Sequence, residues 1–112
     1  AFQDAGSIER ILRNIELTRY TTNTITEKEL LRKELCEIRE RGYAIDREEH
    51  EEHILCIASP IWNHYGKVVA SLSITTFLHR MDIEYLMQYK DLLLDKCREA
   101  SKRLGWMPYD KN

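Results

Sequence analysis

Four kinds of reactive side chain are concentrated between residues 46 and 75. They are the carboxylates of Asp46, Glu49 and Glu52, the imidazoles of His50 and His53, the thiol of Cys56, and the hydroxyls of Ser73 and Thr75. Cys56 near a histidine suggests a thiolate nucleophile, but that chemistry needs a base at hydrogen-bond distance and an oxyanion site. No glycine-rich elbow near Cys56 supplies the second, and a small, inert, buried apolar residue is the simpler reading. His50 and His53, three apart and flanked by acids, invite a metal, which demands converging donors in fixed geometry. The run from Arg47 to His53 reads better as a charged loop, so no metal site and no catalytic residue are expected. Ser73 and Thr75 stand two apart, which on a strand places both hydroxyls on one face, able to donate to a single carboxylate. They can equally be solvent-facing strand residues. Asp46 can cap backbone N–H groups in its loop or meet a ligand.

The elements that must position these groups form an acidic loop and a hairpin. Ile54–Trp62 and Lys67–Thr76 read as strands, joined through Asn63-His64-Tyr65-Gly66, a sequence suited to a four-residue turn. In the second strand Val68, Ala70, Leu72 and Ile74 alternate with Val69, Ser71, Ser73 and Thr75. In the first, Leu55 and Ile57 alternate with Cys56 and Ala58. The hairpin thus has one bulky core-forming face and one small, partly hydroxylated face. The second has room for a small ligand.

Helices complete the chain. Ser7 is expected to cap a helix carrying Ile8, Ile11, Leu12, Ile15 and Leu17, and Arg19–Ile25 to be an extended connector. Thr26 and Glu29 have the spacing of a capping box. The helix that follows turns Leu30, Leu31, Leu35 and Ile38 inward and stops at Gly42. One long helix is predicted from Asp82 to Leu104, ended by Gly105, with a surface tail over residues 106–112. The order implies an α+β fold, an antiparallel sheet with helices packed on one face.

With 112 residues, a single domain spans 1–112. A net charge of -2 with 32% charged residues disfavours an autonomous nucleic-acid binder. No apolar run is long enough to span a bilayer, so no membrane partner is expected. The three cysteines, Cys36, Cys56 and Cys97, are far apart and unpaired in number, as in the reduced thiols of a cytoplasmic protein. The chain opens Ala-Phe-Gln-Asp without an initiator Met or a strand before its first helix, so a longer parent polypeptide is expected.

Gly42, Asp46, Glu49, Cys56, Ile57, Ala58, Ile61 and Asn63, with Arg39–Ala44 and Val69–Ser73, resemble the signature of IclR-type bacterial transcriptional regulators. The resemblance covers Ile8 to Gly105. It implies the later part of an effector-binding domain of GAF-like fold, truncated at its N-terminal side. A winged helix-turn-helix that contacts operator DNA, and the first strands of the sheet, would lie upstream. It also implies a small organic acid effector, a homo-oligomer (dimer or tetramer), no cofactor and no catalysis. By position in the motif, Asp46 is the acidic pocket residue, Ile54 and Cys56 its wall, and Ser73 and Thr75 its hydroxyl donors. An acidic residue beside an anionic effector needs a bridging effector hydroxyl or water.

The departures from the family pattern are specific. His53 stands where glycine is usual and is expected to narrow or re-aim the pocket. Thr75 stands where serine is frequent, and Trp62 replaces the usual Phe, Tyr or His. Two other functions compete with effector sensing. A ligand-free dimerisation module predicts partner interactions indifferent to Asp46 and Ser73, and a Cys56 hydrolase predicts a reactive thiolate.

Overall fold

The computed structural model describes residues 1–108. Helix α1 (Ala5–Asn14) begins at Asp4, whose carboxylate accepts from the Ser7 N–H at 2.9 Å and from the Ser7 hydroxyl at 2.7 Å. Ser7 is therefore the capped residue and not the cap. Ile15 ends the helix and Leu17 lies beyond it, so the expected stripe is cut short, and only Leu12 is buried.

Helix α2 (Lys28–Arg41) starts at Glu27 without a side-chain cap, and the Thr26–Glu29 box does not form. Both partners are taken by arginines: Arg19 donates to Thr26 Oγ1 at 3.1 Å, and Glu29 pairs with Arg32. The helix buries none of its residues fully. Leu30 is 53% exposed, while Leu31, Leu35 and Ile38 are half-buried. Gly42 closes α2 with φ 86°, a left-handed conformation that glycine adopts without strain.

The sheet has three antiparallel strands in the order β1 (Ala44–Arg47), β2 (Ile54–Trp62) and β3 (Val68–Phe77). Strand β1 occupies a stretch that reads in sequence as acidic loop; four residues are too few for their alternation to register. The β2–β3 turn forms as expected. Asn63 Oδ1 accepts from the N–H groups of Tyr65 and Lys67 at 2.9 and 3.1 Å, and Gly66 supplies φ 71°. Near the turn a bulge pairs Ile61 with Ala70 but Trp62 with Val68. The extra residue moves Val68 off the face shared by Ala70, Leu72 and Ile74, against the uninterrupted alternation expected.

The remaining segment is two helices, not one. Helix α3 (Ile83–Met87) ends in i→i−3 bonds from Gln88 to Tyr85 and Tyr89 to Leu86, and α4 (Lys90–Arg103) restarts beyond them. Leu86, Leu93 and Cys97 keep helical spacing across the break and all are buried, which is why the sequence pattern reads as continuous. They meet Leu55 and Ile57 of β2 to form the core, with Ile45, Ile61 and Ile74 packed around it. Ile45, Ile57 and Ile74, one from each strand, are aligned in a single cross-strand row. Gly105 follows α4 with φ 84°, and a β-carbon there would come within 3.0 Å of His64 Cβ. Of the expected surface tail, residues 109–112 lie outside the described residues.

Candidate functional site

Directly opposed residues of an antiparallel pair share a face, so the register fixes which side chains assemble. Asp46 pairs with Cys56 and Cys56 with Thr75, which makes one row across all three strands. The next row is Ala44, Ala58 and Ser73; on the other side Ile54 pairs with Phe77. Asp46, Ile54, Cys56, Ser73 and Thr75 therefore lie together on the face opposite the α3–α4 core. The Thr75 hydroxyl donates to Cys56 Sγ at 3.4 Å. Sulfur is a weak acceptor, so this donor is easily redirected to an anionic oxygen. The strand residues of this face include no Lys, Arg or His. Its side-chain donors are hydroxyls, and Asp46 is its one carboxylate.

A cavity of about 230 Å³ adjoins this face. Ala44, Ala58 and Ser71 form its floor, and Leu35, Ile38 and Tyr43 its side. Leu35 and Ile38 thus line a cavity and are not core residues. Their 3.6-residue stripe, running straight into Gly42 and the strand, is the signal in the sequence, though it cannot say what the stripe faces. A larger depression, about 780 Å³, lies at the β2–β3 turn between Trp62, Tyr65 and Trp106. Among the described residues His64 is its only ionisable lining group besides Tyr65, and paired hydroxyls and a carboxylate are absent from that lining. The smaller cavity shares the face through Ala44 and Ala58, but none of Asp46, Ile54, Cys56, Ser73 and Thr75 lines it.

The loop from Glu48 to His53 is held from behind. The connector before α2 is a compact turn, not an extended segment: Thr24 Oγ1 accepts from the N–H groups of Tyr20 and Thr21 at 3.1 and 2.9 Å. Its side chains then donate to three successive carbonyls, Asn23 to Arg47 at 2.9 Å, Thr21 to Glu48 and Thr24 to Glu49. This latch fixes the loop in which Asp46 Oδ1 accepts from the Glu49 N–H at 2.9 Å. Asp46 does cap its loop, and that bond also orients the carboxylate on the shared face. The density of threonine over residues 21–26 is the trace of the latch in the sequence.

Glu49 sits beside Asp46, half-buried. Burial pushes its carboxyl above the usual carboxylate range; the Arg47 N–H opposes the shift, and the Asp46 and Glu34 charges add to it. A carboxyl raised on folding favours the protonated form, so stability falls as pH rises from the unfolded value through the raised one. Replacing Glu49 by Gln is expected to raise the melting temperature by a few degrees at pH 7. The gain should vanish below the ordinary carboxylate range, which thermal melts at pH 7 and pH 3.5 would test.

The histidines are committed elsewhere. The His50 ring packs on Tyr20 with centroids 4.8 Å apart, and His53 Nδ1 lies 3.9 Å from Glu48 Oε1. Cys56 Sγ has Thr75 Oγ1 and the Ile57 carbonyl as hydrogen-bond partners. His53 has φ 68°, a left-handed backbone that glycine adopts more cheaply. Its ring is largely exposed. Backbone conformation, more than ring size, accounts for glycine being suited to that position.

An open antiparallel sheet with α3 and α4 packed on one face and small side chains on the other makes this an α+β domain. Residues 1–102 match the family described as bacterial transcriptional regulator IclR C-terminal, and the chain belongs to that family. It is 38% identical over 109 residues to the HTH-type transcriptional regulator KdgR of Escherichia coli, covering 97% of this chain and 41% of KdgR. It superposes on Thermotoga maritima IclR with a TM-score of 0.87 at 39% identity, over 94% of this chain and 42% of that one. A double mutant of the inducer-binding domain of PobR from Acinetobacter, in complex with 3-hydroxybenzoic acid, matches with a TM-score of 0.83 at 28% identity. That match covers 88% of this chain and 57% of the other. The chain spans about two fifths of the length of curated relatives that it matches, 42% of XynR and 41% of KdgR. No helix among the described residues is long and apolar enough to cross a membrane.

Proposed function

We propose that this domain binds a small organic acid and transmits its presence to a DNA-binding transcriptional regulator in the cytoplasm. The observation that carries this reading is the cross-strand alignment of Asp46, Cys56 and Thr75 beside Ser73 and Ile54. Ser73 and Thr75 donate to the effector carboxylate, Ile54 and Cys56 pack against its body, and Asp46 accepts from an effector hydroxyl or a bridging water. The acid bound by the double-mutant PobR domain has that combination of a carboxylate and a hydroxyl. Effector binding favours one arrangement of subunits in a dimer or tetramer. It thereby changes the spacing of winged helix-turn-helix domains on operator DNA, a population shift and not a catalytic step.

A thermal-shift screen of 2-oxo, sugar and aromatic acids tests the site. An acid at a hundredfold excess over its Kd adds about 2.7 kcal/mol to stability, a shift of more than about 5 °C in a domain of this size. Asp46→Asn and Ser73→Ala are each expected to abolish most of that shift while leaving the ligand-free melt within about 2 °C of the parent. A shift undiminished in both variants would place the binding site elsewhere.

A further inference from the structure

We propose that Phe77 sets the effector class, selecting a ring-bearing carboxylic acid over a short-chain oxo acid. This deepens the reading of the Asp46–Cys56–Thr75 face as the effector site and rests on it.

Phe77 is the last residue of β3, directly opposite Ile54 and on the same face as Thr75 and Ser73. Phe77 is 52% exposed, a large apolar side chain next to Ile54 at the end of the face where Cys56, Ala58, Ser73 and Thr75 are small. The backbone beneath it is fixed on both sides. Leu78 N–H donates to the His53 carbonyl at 2.8 Å, and the Phe77 carbonyl accepts from Arg80 and Met81 at 2.9 and 3.1 Å. The His79 ring lies against Phe77, with centroids 5.6 Å apart and planes 30° apart. The phenyl group is therefore held at a defined place and is not a frayed strand end.

The spacing matches a particular ligand shape. Two residues along a strand separate Thr75 and Phe77 by about 6.6 Å. An acid with its carboxylate on the Ser73 and Thr75 hydroxyls reaches the Phe77–Ile54 wall only with a ring or an equally long apolar body. A three-carbon oxo acid satisfies the hydroxyls and stops short. Contact between two rings adds to simple area burial, so the wall discriminates most strongly for an aromatic acid.

The test is calorimetric titration of 4-hydroxybenzoate, cyclohexanecarboxylate and pyruvate into the parent chain and its Phe77→Ala, Phe77→Leu and Ser73→Ala variants. The parent is expected to bind the ring acids more tightly than pyruvate. Phe77→Ala should weaken 4-hydroxybenzoate at least about tenfold and leave pyruvate within about twofold. Phe77→Leu, which keeps an apolar wall, should retain cyclohexanecarboxylate. Because Phe77 is half-exposed, both variants should melt as the parent does. Equal affinity for 4-hydroxybenzoate in the parent and Phe77→Ala, with binding lost in Ser73→Ala, overturns the role of Phe77 and leaves the effector face standing. Binding that is indifferent to Ser73→Ala, or no binding of any of the three acids, overturns both.

Discussion

Replacing Ile57 by Ala is expected to lower stability by about 3 kcal/mol, within the range of roughly 2–5 kcal/mol for deep truncations of this kind. Ile57 is completely buried, with Ile45 and Ile74 beside it in the sheet and Leu86, Leu93 and Cys97 in the core above. The neighbours on both flanks are fixed by strand pairing and those above by helices, so the cavity left by three missing carbons can collapse little. At roughly 4–8 °C per kcal/mol for a domain of about 100 residues, the melting temperature should fall by more than about 10 °C. The contrast is Leu30→Ala on α2. That side chain is 53% exposed and touches no buried cluster, so its loss should cost less than about 0.5 kcal/mol. Paired denaturant titrations would decide. Equal costs at the two positions would mean that α2 buries its apolar stripe in solution, contrary to the arrangement described.

The sheet was far more legible in the sequence than its helical surroundings. Alternation along β2 and β3, with the Asn63–Gly66 turn between them, placed both strands to within a residue at each end. Parity along each strand groups Cys56 with Ala58 and Ser73 with Thr75, and the register brings the two groups onto one face. Asp46 and Ile54 came only from the family resemblance, since nothing local showed that residues 44–47 add a strand. The bulge at Ile61 and Trp62 was invisible, because a one-residue slip leaves composition unchanged and alters only which face Val68 joins. The helix ends failed for a different reason. Ser7 and Thr26 are good caps by type, but Asp4 stands three residues before the Ser7 N–H, and Arg19 takes the Thr26 hydroxyl. Competition between neighbouring polar groups decides such cases, and spacing alone does not rank the competitors. The latch from Thr21, Asn23 and Thr24 to carbonyls some 25 residues away is a tertiary contact, outside the reach of any local pattern.

Ser101→Ala is expected to cost about 2 kcal/mol, a large effect for the loss of one oxygen. The hydroxyl is fully buried; it donates to the Cys97 carbonyl at 2.7 Å and accepts from the Trp62 N–H at 2.9 Å. Trp62 is the residue at which the bulge interrupts the β2–β3 ladder, so its N–H needs an acceptor from outside the sheet. Alanine removes that acceptor and leaves a polar group desolvated and unpaired, which costs more than the bond itself contributes. The consequence should reach the aromatic cluster built on the same residue. Trp62 lies 5.1 Å from the Phe2 ring and 6.4 Å from Trp106, whose own N–H donates to the Ser101 carbonyl. Both tryptophans of the chain are in this cluster, so near-ultraviolet circular dichroism reports on it selectively. The variant should lose part of that signal at temperatures where the far-ultraviolet spectrum is still native. A stability within about 0.5 kcal/mol of the parent with an unchanged aromatic spectrum would show that the bulge closes without Ser101. The opposite result would establish α4 as the element that tethers the turn end of the hairpin, leaving the Asp46–Cys56–Thr75 end to be positioned by the threonine latch.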